Sequence, residues 1–405
     1  MGDSGRLWDV IVVGARVAGA TLAAYLGKAG LRTLLIDRMR IPAYIPRQGS
    51  FDLPTRERWA ALGVLPEIDA LKAPARRGYY SGVEDAILTY RFPVGEPVAY
   101  NMMIRRLVLD EILSQFAGRM PSVELRLGFA ATELLWDGDC VVGIRGQEAG
   151  RDFEERARLV VGADGRHSWM ARQVRPEEYD RILSPKANFI ADYAGTNLDP
   201  DMSVRVWDQV GSMGMLMMED KLVTIGMGVP LTDLPEFRAG LPDSFERRLR
   251  RHPLYQQQLG DAVRVSPIGG AIDLNMYKRK PYGPGWALTG DAGYHLDPLA
   301  ARGTSAAVLG AELLSQAIVS AIGGEQPAEA AFGEFQQARD AALAGDWTMT
   351  YDAIMRPPPT ERDVREARLL ASRPDLVEQH IEVMRGLRDG AAFRQLLDGL
   401  LDAAA

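Results

Sequence analysis

Short, unbroken apolar runs open the chain. Asp9 to Val13 and Leu31 to Ile36 read as buried strands, with Gly14-Ala15-Arg16-Val17-Ala18-Gly19 and an apolar helix through Leu26 between them. After Asp37 the periodicity breaks into an irregular basic stretch, Arg38 to Ser50, carrying Pro42 and Pro46, and a helix through Trp59 to Leu62 follows. Residues 79–100 alternate and contain Pro93 and Pro97, the pattern of strands in a second domain. Arg105 to Phe116 is an amphipathic helix, and Glu124 to Val161 a three-strand meander turned at Asp137-Gly138 and Ala149-Gly150, its last strand running from Ala157. From about 180 to 275 the chain is again strand-rich, interrupted by a helix from Asp243 to Leu249. Trp286 to Thr289 is a short buried strand, and the Ala-rich run from Thr304 to Ile322 a helix. Past Gly345 the pattern is helical, broken by Pro357-Pro358-Pro359. Val377, Ile381, Met384 and Leu387 share one face of Pro374 to Leu387, and Phe393, Leu396, Leu397 and Leu400 continue it.

These elements predict an α/β fold: a Rossmann-like domain, an inserted mixed β-sheet domain and a helical C-terminal tail. The expected boundaries are 1–78, 101–178 and 281–345 for the first, 79–100 and 179–280 for the second, and 346–405 for the tail. The tail could roof a pocket, pair subunits or pack on its own body.

Three segments carry candidate chemistry. Strand, glycine turn, helix, strand and then an acid about twenty residues past the turn form a dinucleotide fingerprint, with Asp37 placed for the adenosine ribose. The middle glycine is missing. Arg16 stands where the backbone comes closest to a pyrophosphate, so the match is Gly-x-x-x-x-Gly, and an ordinary strand-turn-helix fits it too. The second segment, residues 290–304, runs Gly-Asp-Ala-Gly-Tyr-His-Leu-Asp-Pro-Leu-Ala-Ala-Arg-Gly-Thr. Asp291 at a strand end can accept a hydrogen bond from a ribityl hydroxyl, while Pro298 and Gly303 free the backbone to lie against an isoalloxazine ring. The helix starting at Thr304 would point its first amides and positive dipole end at that ring, favouring negative charge on a reduced flavin. The third segment, Gly162-Ala163-Asp164-Gly165-Arg166-His167-Ser168, directly follows a strand.

In this order and at these separations, the three stretches resemble the flavoprotein aromatic-hydroxylase superfamily, which includes para-hydroxybenzoate hydroxylase, flavin halogenases and geranylgeranyl-type reductases. Arg105-Arg106-Leu107-Val108-Leu109-Asp110 resembles the superfamily's Arg-x-x-Leu-Asp cofactor contact, and the likeness covers most of residues 1–345. The resemblance implies that residues 14–19 and Asp37 hold the adenosine half of FAD and that Arg106 reaches the pyrophosphate or ribityl chain. It further implies that Asp164 supports both cofactor and pyridine nucleotide and that Asp291 binds the ribityl chain. Many relatives have Gln or Lys where this chain has Arg302, and Asn or Asp where it has Ser305, Ala306 and Ala307. Arg38 and Arg47 in the basic stretch are further cofactor candidates, Arg47 reading equally as a solvated loop arginine.

Composition agrees with a two-domain enzyme: 405 residues, 47% hydrophobic, are more than one core usually organises. A net charge of −7 without a basic block argues against nucleic acid or an anionic membrane as partner. The single cysteine, Cys140, lies in a strand pattern, which excludes an internal disulfide framework and fits a reducing cytoplasm. No signal peptide precedes the first strand, and no uncharged run has the length of a membrane span, Glu312 interrupting the longest helix. The four histidines make no metal spacing, so no metal is expected. His295, between Asp291 and Asp297, is a weak catalytic candidate, its alternatives being proton transfer near the ring or a structural hydrogen bond to a neighbouring loop.

Met213, Met215, Met217, Met218 and Met227 fall on two facing strands, with the first three on one face. They read as core packing or as an apolar pocket wall; a wall would favour a bulky neutral ring system over a small carboxylate, since Arg205 is the one nearby strand cation. The function implied by the resemblance is an NAD(P)H-dependent monooxygenase, a hydroxylase acting through a flavin hydroperoxide on a bulky apolar or aromatic small molecule, with secondary metabolism as a setting. FAD is the cofactor and NAD(P)H a transient donor, with NADPH preferred; molecular oxygen is co-substrate and the chain a monomer or homodimer. The alternatives are a reductase of an isoprenoid-type double bond, a halogenase, or a non-catalytic flavin-binding scaffold.

Overall fold

The computed structural model describes residues 7–45, 48–93 and 101–403. Arg47, Pro46 and Pro97 therefore lie outside the described residues. The chain divides into two units: Met1–Leu71 with Ile104–Ser184 and Leu274–Ala353, and Lys72–Met103 with Pro185–Asp273 and Ile354–Ala405. The second unit thus starts before residue 79 and takes in most of the tail.

The first unit is built on a sheet in the order Tyr282–Gly283, Trp286–Leu288, Arg151–Gly162, Trp8–Val13, Thr33–Asp37, Val123–Leu127. All neighbours are parallel except the outermost pair at Tyr282. Val10, Ile11, Val12, Leu34, Leu35, Ile36, Val160 and Val161 are all buried. Continuous β-branched and aliphatic runs of this kind suit a sheet covered on both faces. Arg151–Gly162 is longer than its apolar end predicts: its charged first half pairs antiparallel with Cys140–Glu148, and from Ala157 onward it pairs parallel with Trp8–Val13. The meander accordingly starts at Phe129, and the preceding strand, Val123–Leu127, belongs to the parallel sheet.

Gly303–Gly323 packs against the first helix, Val17–Lys28, and buries Ala307, Ala311, Leu314 and Ile318. It is 21 residues long and, by length and composition alone, apolar enough to cross a membrane even with Glu312 within it. Its buried side is nevertheless core of the first unit.

The second unit centres on a sheet in the order Val263–Arg264, Lys186–Ala194, Val223–Pro230, Gly211–Met217, Met202–Asp208, Gly78–Val83, Ala86–Arg91. Three short helices, Leu234–Ala239, Asp243–Leu249 and Pro253–Leu259, supply Phe237, Phe245, Leu249 and Tyr255 to its core. The sequence pattern indicates only the middle one; all three span about two turns, and the other two carry a proline in their first turn. Met213, Met215, Met217 and Met227 belong to this core and are at most 9% exposed. The methionine stripe therefore faces helices of its own unit, and the pocket-wall expectation gives way to packing.

The C-terminal helices Glu361–Ser372, Pro374–Met384 and Gly390–Ala403 cover the opposite face of the same sheet. Leu370, Leu376, Phe393 and Leu397 meet Ala86, Leu88 and Tyr90 there. Val377 and Ile381 join them, but Leu387 is 65% exposed because the helix ends at Met384, and Leu396 also faces outward.

Candidate dinucleotide site

Trp8–Val13 has as parallel neighbours Thr33–Asp37, reached through the first helix, and Arg151–Gly162, which arrives more than a hundred residues later. Strand order reverses at that point, which opens a crevice at the carboxyl ends of the strands. All three predicted segments converge on it. Gly14 has φ +109°, and a Cβ there would lie 2.5 Å from the Ala163 carbonyl oxygen. A Cβ on Gly290 would lie 2.7 Å from the Ala18 Cβ. The glycine loop, the Ala163 turn and the Asp291 turn are thus packed against one another with no room for side chains between them.

Arg16 is the first helix's N-cap with φ −92°, an ordinary conformation for any residue, so arginine stands there without backbone strain. Asp37 is buried; its Oδ2 accepts from the Ala15 amide at 3.0 Å and its Oδ1 from the Met39 amide at 2.8 Å. A carboxylate has further lone pairs, so Asp37 can organise the loop and still accept from a ribose hydroxyl. Asp37→Ala is expected to weaken FAD about ten- to a hundredfold, as for a lost charge-assisted hydrogen bond of roughly 1.5–3 kcal/mol. Fluorescence titration of the apoprotein checks this, and parent-like affinity would remove Asp37 from the site. Arg38, beside it, is exposed.

Two predicted contacts have other partners in the chain. Asp164 accepts from Ser168 Oγ at 2.5 Å and from the Trp169 and Met170 amides, so its carboxylate holds the start of the helix Trp169–Val174. Burial raises its pKa against the pull of these hydrogen bonds. Arg106 opens the helix Arg106–Gly118 and pairs with Asp110 one turn on, at 2.8 Å. The Arg-x-x-Leu-Asp pattern therefore encodes an intrahelical ion pair that orients the guanidinium.

The Gly290 to Thr304 segment is held from beneath. Tyr277 donates its hydroxyl to the Asp291 carbonyl at 2.7 Å and stacks on His295. His295 is buried, which lowers its pKa and keeps the imidazole neutral; Nδ1 lies 2.8 Å from the Asn275 carbonyl and donates to it. This is the structural hydrogen bond weighed against proton transfer. Asp297 accepts from Ser184 Oγ and the Leu299 amide, both at 2.8 Å, fixing the turn Pro298–Ala300. Gly303 then starts the long helix, and a Cβ there would meet nothing of the protein within 4 Å. The helix's first amides, before the Ala306 bond to Arg302, have no intrahelical acceptor and face the end of the dipole that attracts negative charge.

Arg302 donates to Asp52 and Asp346, both at 2.7 Å, and Ser305 Oγ donates to Asp52 at 3.1 Å. Burial works to raise the Asp52 carboxyl, but hydrogen bonds from Thr55 and the Arg302 guanidinium hold it below its ordinary value. The cation that departs from the superfamily pattern is thus neutralised by two acids, and the helix start relies on its peptide dipoles. Asp52 also caps the helix Leu53–Leu62, a role legible in Asp52-Leu53-Pro54-Thr55; Asp346 has no local signal. Gly14 and Gly19 cradling the loop, Asp37 at the second strand and the open Gly303 together fit FAD. Of the substrate candidates, Arg205 lies on the sheet face opposite the methionines and is exposed, its guanidinium 4.1 Å from the Tyr79 ring centre.

Digeranylgeranylglycerophospholipid reductase of Methanosarcina acetivorans is 25% identical over 334 residues, covering 78% of this chain and 76% of its own. The myxobacterial chondrochloren halogenase CndH has a TM-score of 0.77 at 24% identity, covering 92% of this chain and 91% of that one. PqsL, a probable FAD-dependent monooxygenase from Pseudomonas aeruginosa, has a TM-score of 0.75 at 19% identity, covering 91% of this chain and 100% of that one. At these identities the two structures establish a common fold. A sequence profile of the FAD binding domain family matches residues 8–232, more than half of the 405, and the chain belongs to that family of FAD-dependent oxidoreductases.

Proposed function

We propose that the protein is an NAD(P)H-dependent FAD monooxygenase that hydroxylates an apolar or aromatic small molecule. The observation that carries the proposal is the helix start at Gly303, beside a dinucleotide crevice, where the first amides have no intrahelical acceptor and a Cβ on Gly303 would meet nothing described within 4 Å. When bound, FAD supplies two electrons from NAD(P)H and the activation of oxygen. The balance is substrate, O2, NAD(P)H and a proton going to hydroxylated substrate, water and NAD(P)+. The chain's own contribution is binding and electrostatics. Gly14 and Gly19 admit the pyrophosphate, Asp37 and Asp291 take ribose and ribityl hydroxyls, and Pro298 and Gly303 leave the ring plane free. The Arg302 bridge between Asp52 and Asp346 fixes the helix start whose dipole favours negative charge on the reduced ring.

Sequence supports this reading over the halogenase alternative, since none of the seven tryptophans forms the Trp-x-Trp element of relatives with that activity. It also contains no second Gly-x-Gly-x-x-Gly unit, in keeping with transient use of the nicotinamide, NADPH preferred. A cytoplasmic setting belongs to the same reading, with Cys140 a free, half-buried thiol. The test is product analysis under labelled oxygen. One labelled atom in the product, with matching NAD(P)H consumption, is expected; unlabelled reduction of a prenyl-type double bond would move the protein to the reductases.

A further inference from the structure

Within the first unit, one short strand takes up three successive carbonyls of the turn that carries Asp291. Met276–Arg279 is the middle strand of a three-stranded sheet, with Tyr277 opposite His295 and Arg279 opposite Glu178. Tyr277 and Arg279, two positions apart, share a face. The Tyr277 hydroxyl lies 2.7 Å from the Asp291 carbonyl. Arg279 Nη1 donates to the Ala292 carbonyl at 3.0 Å, and the Arg279 amide donates to the Gly293 carbonyl at 2.9 Å. The same Tyr277 hydroxyl is 3.1 Å from the Arg166 carbonyl, so its single proton is shared between the turn at 162–168 and the Asp291 turn.

Tyr277 is buried, with its ring stacked on His295 and the Arg279 guanidinium 3.9 Å from the ring centre. Burial raises the Tyr277 pKa, against the pull of Arg279, so the phenol keeps its proton at neutral pH and stays a donor. Arg279 pairs with Glu178 at 3.1 Å, which offsets its charge. Arg339, buried and paired with Asp340, donates to the Arg279 carbonyl at 3.1 Å and steadies the strand from the helix Ala328–Ala342.

Core packing alone asks for less. A phenylalanine at 277 would fill the same ring space and keep the stack, and an aliphatic stem at 279 would cover the same surface. What tyrosine and arginine add is donors aimed at carbonyls of two turns that border the crevice. A buried carbonyl left without a donor is costly, so these bonds fix the peptide orientation of the Asp291 turn. Apparent affinity scales with the fraction of molecules in which a site is already formed, so a turn held ready binds more tightly than one its ligand must order.

We propose that Tyr277 and Arg279 are positioning residues of the flavin site, holding the Asp291 turn in its FAD-binding shape already in the cofactor-free protein. Neither needs to touch FAD. The assignment rests on FAD occupying the crevice and is indifferent to what the loaded protein oxidises.

Fluorescence titration of the full chain with FAD, together with thermal midpoints of the cofactor-free and FAD-loaded forms, tests it. Tyr277→Phe is expected to weaken FAD about tenfold, as when the formed fraction of the turn drops to about a tenth, and to lower the loaded midpoint more than the cofactor-free one. Arg279→Lys, which keeps the charge beside Glu178 but loses the planar fork, should weaken FAD several-fold. Tyr282→Phe is the control: it removes a hydroxyl 3.3 Å from Glu329 on the outermost strand of the main sheet, and should leave FAD affinity within about twofold of the parent. Parent-like affinity in both Tyr277→Phe and Arg279→Lys, with the two midpoints falling together, overturns the proposal and leaves the strand as packing. Equal weakening in Tyr282→Phe and Tyr277→Phe overturns it too, tracing the loss to general destabilisation. Should Tyr277→Phe not fold, Arg279→Lys decides. A parent that takes up no FAD overturns the cofactor reading and this proposal with it, a failure distinct from the other two.

Discussion

Met215→Lys is expected to unfold the second unit. Met215 is 0% exposed, paired with Val204 and Ile225 across the sheet and packed in the core that Phe245, Leu249 and Tyr255 close from the helix side. Losing the buried thioether costs about 1.5–3 kcal/mol, and an ammonium enclosed by apolar side chains adds several more. The sum is comparable with a whole domain stability of about 5–15 kcal/mol. Near-UV circular dichroism and limited proteolysis across residues 185–273 should report a collapsed unit, while Met215→Leu should stay within about 1.5 kcal/mol of the parent. A wall facing ligand space would behave differently, since lysine could extend into water and only ligand affinity would fall. A folded Met215→Lys protein with the parent's thermal midpoint would therefore restore the pocket-wall interpretation.

Gly14→Val should abolish FAD binding, by at least about a hundredfold or roughly 2.7 kcal/mol. A β-branched residue at φ +109° is strained by about 1–3 kcal/mol, and its Cβ would sit 2.5 Å from the Ala163 oxygen. The loop would have to swing away from the third strand, and the Ala15 amide would leave Asp37, now 3.0 Å away. Each movement takes apart the narrow turn through which a pyrophosphate reaches the helix amides. The variant is expected to purify colourless with far-UV dichroism close to the parent's; a yellow protein with parent-like FAD affinity would exclude the glycine loop from the cofactor site.

The flavin half was legible because its signals are local. An apolar run, a glycine turn and an acid at the end of the next strand are set by a few neighbouring residues, and the fold adds only that the three turns touch. What could not be read depended on partners far away. The Arg302 bridge joins Asp52 and Asp346, 250 and 44 residues distant, and nothing near Arg302 announces either. The methionine stripe shows the same limit from the other side. Alternation correctly puts Met213, Met215 and Met217 on one face, but which face meets helices is decided by Phe237, Phe245 and Leu249, on short helices whose docking on the sheet no local pattern announces. Arg76 has no motif at all; it is conspicuous only because the fold encloses its Nε with no hydrogen-bond partner among the described residues.

The parallel sheet of the first unit draws neighbouring strands from residues 8, 33, 157 and 286 onward. During synthesis the opening strand and glycine loop leave the ribosome long before the strand that carries Asp291 to them. The nascent chain must therefore hold Val160 and Val161 with one flank of their sheet still unmade while residues 185–273 of the second unit are translated. Contacts this remote in sequence form slowly and leave strand edges open to wrong pairings. The flavin crevice is thus completed only after residues 185–273 of the second unit have been made, although its first residues are among the first to be translated.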